Sequence, residues 1–306
     1  MHGFSTEPIP MSSDADSIPF PAVELDPKPQ LPWLTIAWFS ALLVACYFPI
    51  LLQLVRKWYN DEDMGHGFFV PVIAAYIAWQ NKDKLFASGL RTNHWGLAII
   101  VFAGLQLYVS TLAAELFTQR TAFIESLIGV ILFLGGMPAL RILSFPIVLL
   151  FFMVPIPSVI YTQITFPLQI FASQVAEFSL NLMGYAVLRD GNVLELASQK
   201  LSVVEACSGI RSLLSLTFLS LVYAYFFDTR VWMRYFLFVA TIPIAIVANS
   251  IRVTFTGILS EIRPDLAHGF FHSASGWVIF MIALFILVMV HQTVSRIIKA
   301  IHPDAN

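Results

Sequence analysis

Long apolar runs separated by short polar loops fill the chain from Leu34 almost to its end, and no water-soluble core could absorb so many of them. Crossing the hydrocarbon layer takes about twenty mostly apolar residues per helix, because each segment must pair its own backbone groups. On that rule spans are expected near 34–54, 67–80, 95–113, 121–136, 139–156, 210–227, 233–256 and 275–295. Of the 306 residues, 58% are hydrophobic and 12% charged, and the mean hydropathy is +0.78. The expected fold class is therefore an all-α polytopic membrane protein with about eight transmembrane helices.

Residues 1–33 differ in kind: Ser, Pro and the acids Glu7, Asp14, Asp16, Glu24 and Asp26 predict a disordered cytoplasmic tail. No charged segment there leads into a cleavable apolar stretch, so no secretory signal peptide is expected. A single transmembrane domain should cover 34–298, with 299–306 as a short cytoplasmic tail. Lys82, Lys84 and Arg91 in one loop, Arg230 and Arg234 in another, and Arg296 with Lys299 at the end predict a cytoplasmic side for these segments and for both termini. Arg56, Lys57, Arg120 and Arg263 on the opposing side weigh against that orientation. A net charge of −2 without a basic cluster excludes nucleic acid as a partner and leaves membrane lipids as the obvious surroundings.

The stretch 158–209 has another pattern. Ile164, Leu168, Phe171, Val175, Phe178 and Leu182 recur on one helical face, while Gln163, Ser173, Gln174, Glu177 and Asn181 occupy the rest. That pattern predicts an amphipathic helix in the membrane interface; if it spans instead, each buried polar residue needs a partner. Beyond it, Arg189-Asp190-Gly191-Asn192 signals a turn, and β-prone residues either side of Ser198-Gln199-Lys200 predict a short extracytoplasmic β-ribbon leading to Cys207.

Three residues able to do chemistry stand where apolar segments meet their loops: Cys207, Arg252 and His272. The expected topology puts all three on the outer face. Cys207 is expected to open a helix with Ser208 and Gly209 in its first turn, where unpaired N–H groups and the helix dipole favour a thiolate; a small residue tucked into a helix start is the plain alternative. Arg252 is expected near the end of a span, either facing a polar cavity with Asn249, three positions earlier, or snorkelling to headgroups. His272 can serve as a base, as can His268, or either can be an idle interfacial side chain. Their spacing of four would suit a metal, but no carboxylate or cysteine completes a set, and no metal or other cofactor is expected. Arg211 can stabilise a thiolate or oxyanion or anchor the interface; Glu205 can bind a substrate cation or cap the ribbon. Cys46, inside an apolar run, reads as core packing, and two cysteines so placed make no disulfide framework.

Taken together, Glu-Ala-Cys-Ser-Gly-Ile-Arg-Ser-Leu at 205–213, Ala-Asn-Ser-Ile-Arg-Val-Thr at 248–254 and Ala-His-Gly-Phe-Phe-His-Ser-Ala-Ser-Gly-Trp at 267–277 resemble the signature blocks of the exosortase/archaeosortase family. Gly65-His66-Gly67-Phe68-Phe69-Val70-Pro71 is similar to its N-terminal block, which makes His66 a possible supporting residue. The resemblance implies a transpeptidase-like cysteine enzyme of the bacterial cytoplasmic (inner) membrane. Its substrates would be exported proteins whose C-terminal sorting signal holds a short motif such as Pro-Glu-Pro, one membrane helix and a basic tail. It also implies Cys207, Arg252 and His272 as the catalytic set, with histidine at the third position pointing to the bacterial branch. Two other readings stand beside it: a transporter or lipid-binding protein holding an anion on Arg252, Arg211 and the histidines, and an intramembrane hydrolase that cuts without transfer.

Overall fold

The computed structural model describes residues 33–301 apart from Leu90, 198–199, 204–208 and 263–269; side chains at 33, 62, 209–212 and 270–273 also lie outside the description. Ten helices are described: α1 (Trp33–Asn60), α2 (Phe69–Gln80), α3 (Lys82–Ala87), α4 (Trp95–Leu112), α5 (Leu116–Ile142), α6 (Ser144–Leu150), α7 (Ser158–Leu182), α8 (Gly209–Phe227), α9 (Val231–Ile262) and α10 (Phe270–Ile301). Single 3₁₀ turns at Glu62–Phe68 and Phe151–Met153 join α1 to α2 and follow α6.

Five helices are long and apolar enough to cross a membrane: α1, α4, α5, α9 and α10. A sixth is available if Ser144–Met153 and Ser158–Leu182 form one span, bent by 85° at the break between them. The count is thus five or six among the described residues where eight spans were expected. The segment 67–80 holds a 12-residue α2, about 18 Å long at 1.5 Å per residue. The segment 139–156 is divided between the end of α5, the seven-residue α6 and a 3₁₀ turn. Pro146, third residue of α6, has no N–H to give the Ile142 carbonyl, and Pro155 and Pro157 end the segment before α7. Helix α8 has 19 residues, and its apolar run is described from Leu213 to Phe227.

Packing follows lipid rules. Helices α4 and α5 approach through glycines: a Cβ on Gly96 would lie 2.3 Å from the Phe133 backbone nitrogen, and one on Gly129 would lie 2.7 Å from Ile100 Cγ1. Gly136 interrupts α5 at φ 70°, a left-handed conformation that glycine alone adopts without cost, and there the Arg91 carbonyl packs close. On α1, Tyr47, Ile50, Leu54 and Trp58 face inward. Cys46 is exposed on the outer face of that helix, which corrects its reading as core packing: the 3.6-residue period carries it away from the Tyr47 stripe.

Helix α7 reverses the usual amphipathic rule. Its buried face is Thr165, Gln169, Ala172, Ser173, Ala176 and Leu180. The apolar stripe points outward, with Phe178 70% and Leu182 78% exposed. Lipid is as apolar as any protein core, so Phe178 and Leu182 can stay outside while Gln169, Ala172, Ser173 and Ala176 pack inward; Leu180 is buried with them, and Gln163, Gln174 and Asn181 stay exposed. The polar residues meet a three-stranded antiparallel sheet of β1 (Val187–Asp190), β2 (Val193–Leu196) and β3 (Lys200–Ser202), in the order β1-β2-β3. Glu177 pairs with Arg189 Nε at 3.0 Å, Ser173 Oγ donates to Gly191 O at 3.0 Å, and Asn192 Nδ2 donates to Gln169 Oε1 at 3.2 Å. Leu194, Leu196 and Leu201 form one apolar cluster with Ala172, Ala176 and Leu180 of α7 and Val253 of α9.

At one end of α8, α9 and α10 a buried polar network ties the three together. Asp228, next after α8, takes Arg230 Nη2 at 2.6 Å and His291 Nε2 at 3.0 Å on the same oxygen. Because the carboxylate only accepts, Nε2 donates to it, and Nδ1 lies 2.8 Å from Tyr223 OH. Arg230 Nη2 also donates to Ser295 Oγ at 2.9 Å. Burial alone would push the Asp228 carboxyl up, but the hydrogen bonds from Arg230 and His291 reverse that and hold it far below the usual carboxylate range.

Candidate active site

Of the residues singled out from the sequence, Arg252 has a described side chain away from the Asp228 end of α9. Arg252 does not close its helix as expected: α9 continues for ten more residues to Ile262, about 15 Å. The side chain is 5% exposed, so it does not snorkel. Its guanidinium lies against Gly276 of α10, where a Cβ would sit 2.9 Å from Nη2 and 3.0 Å from Cζ. Gly276 leaves the room that a buried cation needs.

His272 lies within the first turn of α10, not before the helix, and its backbone position is one turn ahead of Gly276 on the same stripe. Its side chain lies outside the description. So do Glu205, Cys207, Ser208 and His268, together with the side chain of Arg211. The described part of α8 starts at Gly209, and the expectation that the helix opens at Cys207 lies outside the described residues. The strand β3, which ends at Ser202, leads toward that segment from beside Val253.

Two described residues flank the opening turns of α8 from different sides. Asn249 on α9 is 6% exposed and borders a small gap with Leu213 of α8, Leu168 of α7, and Ala245 and Ile246. His66, in the 3₁₀ turn Glu62–Phe68, places Nδ1 3.4 Å from Ser215 Oγ and Nε2 3.1 Å from Phe152 O. A carbonyl only accepts, so Nε2 carries the proton and the Nδ1 lone pair turns toward Ser215. Burial lowers the imidazole pKa, and the bond to Phe152 O opposes this only in part. Gly67 lies tightly against the Trp58 indole, whose Nε1 donates to Met153 O at 2.9 Å, and Tyr161 OH donates to Asp63 Oδ2 at 2.8 Å, so this turn is fixed on three sides.

Ser215 and Gly276 carry no functional role in the sequence reading. Gly276 stands one turn after His272 in the same block, a spacing that could have marked it; Ser215 is one turn beyond Arg211, with nothing in the chain to pair it with a histidine 149 residues away. No group of three or more His, Cys, Asp and Glu able to hold a metal occurs among the described residues. Chemically, a desolvated guanidinium held beside the opening turn of another helix is suited to stabilising negative charge that develops on a neighbouring atom.

The fold and the site define a multi-pass membrane protein with a buried arginine at the junction of two long apolar helices. Residues 58–289 match the family model of the transmembrane exosortases, and the chain belongs to that family. The match takes in the 205–213, 248–254 and 267–277 blocks. The family is generally one of cysteine-type peptidases and transpeptidases. Neither a curated protein nor a solved structure gives a match.

Proposed function

We propose that the protein is a membrane-embedded cysteine protease or transpeptidase that cleaves the C-terminal sorting signal of exported proteins at the outer face of the bacterial cytoplasmic membrane. The observation that carries the proposal is the buried Arg252 guanidinium packed on Gly276, one turn from the position of His272. An arginine buried within an apolar helix is costly and persists where it has a task. On the eight-span topology both termini lie in the cytoplasm, and the sheet that leads toward Cys207 lies outside.

The reaction starts with transfer of the Cys207 thiol proton to His272. The thiolate adds to the carbonyl carbon of the scissile peptide, and the guanidinium of Arg252 stabilises the resulting oxyanion. Collapse of this intermediate breaks the C–N bond, with the leaving amine taking the proton from His272 and the acyl group remaining as a thioester. An acceptor amine or water then attacks, gives its proton to His272 and releases the thiol. A transfer agent is needed because an unperturbed thiol is only a few per cent ionised near pH 7.

The test is Cys207→Ala in cells that express a substrate with a sorting signal. The variant should insert into the membrane at parental levels while full-length substrate accumulates. Undiminished processing would refute the assignment.

A further inference from the structure

We propose that Asn249 binds the backbone of the substrate, its Oδ1 accepting an amide N–H of the recognised segment beside the substrate's membrane helix. This rests on the peptidase reading above and assigns one part of that site. Asn249 is 6% exposed, and its Oδ1 has no hydrogen-bond partner among the described residues. A buried carbonyl oxygen left unpaired is costly, so a ligand that brings a donor gains from supplying it.

The surroundings narrow the donor. Leu168, Leu213, Ala245 and Ile246 line the gap with Asn249, and their apolar side chains offer no donor of their own. The gap admits one small group and is partly open, which fits a backbone N–H better than a charged side chain. Asn249 also lies one turn before Arg252 on the same stripe of α9. A chain whose carbonyl oxygen faces Arg252 presents backbone N–H groups within a residue or two of that point. Asn249 and Arg252 thereby hold two backbone groups of the same extended segment.

The experiment uses the full-length enzyme in detergent micelles and a synthetic peptide with a Pro-Glu-Pro segment, one apolar helix and an arginine-rich end. Proline has no backbone N–H, so the glutamate supplies the sole backbone donor in that segment. In a second peptide an ester replaces the glutamate amide and removes that donor. Asn249→Leu should raise KM about ten-fold with kcat nearly unchanged, while Asn249→Asp, which keeps an acceptor at the same atom, should stay near the parent. The ester should raise KM about as much on the parent enzyme and no further on Asn249→Leu, because both changes remove one interaction.

Effects that multiply, an ester without effect on the parent, or equal impairment of Asn249→Asp and Asn249→Leu would each overturn the proposal. Should Asn249→Leu fail to fold, the ester on the parent and on Asn249→Asp still decides. Full cleavage by Cys207→Ala is a different result: it removes the peptidase reading, whereas the KM comparison bears on Asn249 alone.

Discussion

The Arg252 guanidinium and Gly276 occupy adjoining space across α9 and α10, with a hypothetical Cβ at residue 276 only 2.9 Å from Nη2. The contact joins two helices at the point where the sequence blocks 248–254 and 267–277 face each other. It also lets a cation sit inside an apolar bundle without a bulky neighbour.

Gly276→Ala tests whether that space matters. The clash is with the tip of a long side chain, so the fold should survive with a melting temperature within a few degrees of the parent. The guanidinium must move, and an ångström of displacement costs on the order of 100-fold when charge stabilisation depends on position. Processing should fall at least ten-fold. Arg252→Lys should be no milder, because a point-like ammonium does not reproduce the planar fork. Substrate-cleavage rates and thermal unfolding of the purified variants check both.

His66 supplies a pH dependence. Its folded pKa lies below the ordinary value of 6.5, so the unfolded chain binds the proton more readily. The stability this contributes is complete above about 6.5 and is lost as pH falls through the folded pKa. Thermal unfolding in detergent between pH 8 and pH 5 should show a declining midpoint, and His66→Gln should flatten the decline below about 6.5. An unchanged slope in the variant would assign the pH dependence elsewhere.

Gly96 tests the packing of α4 on α5. A methyl group there meets backbone, not a flexible side chain, at 2.3 Å. Gly96→Ala should destabilise the protein by about 1–3 kcal/mol through forced separation of the helices, read as a lower unfolding midpoint and reduced yield. Gly104→Ala, with nothing nearby, is the control and should change neither.

The two cysteines should differ in reactivity. Cys46 lies on the outer face of a membrane-capable helix, where a charged reagent confined to water does not reach it. A charged maleimide added outside intact cells should label the parent and Cys46→Ser equally and should not label Cys207→Ala. Label on Cys207→Ala at parental levels would contradict the proposed outward position.

Much of the architecture was legible in the chain. The apolar runs marked α1, α4, α9 and α10, and Gly191 with its turn neighbours marked the link between β1 and β2, because these signals are local. Other boundaries were not legible: the apolar run at 139–156 reads as one helix, yet it is divided among the end of α5, α6 and a 3₁₀ turn. In the site, the blocks around Arg252 and His272 were visible, whereas the pairing of His66 with Ser215 was not, since the contact links residues far apart in sequence.

Sequence alone determined that this chain lives in a membrane and which polar residues are too costly to be accidental, since transfer from water to lipid depends on composition within a single segment. Tertiary structure decided which face of each helix turns inward. In α7 Gln169, Ala172, Ser173 and Ala176 turn inward while Phe178 and Leu182 stay outside, and in α9 Arg252 is buried on Gly276 instead of reaching the headgroups. Hydrophobicity cannot make that choice, because lipid and protein interior are equally apolar; close packing and the pairing of polar groups between helices make it.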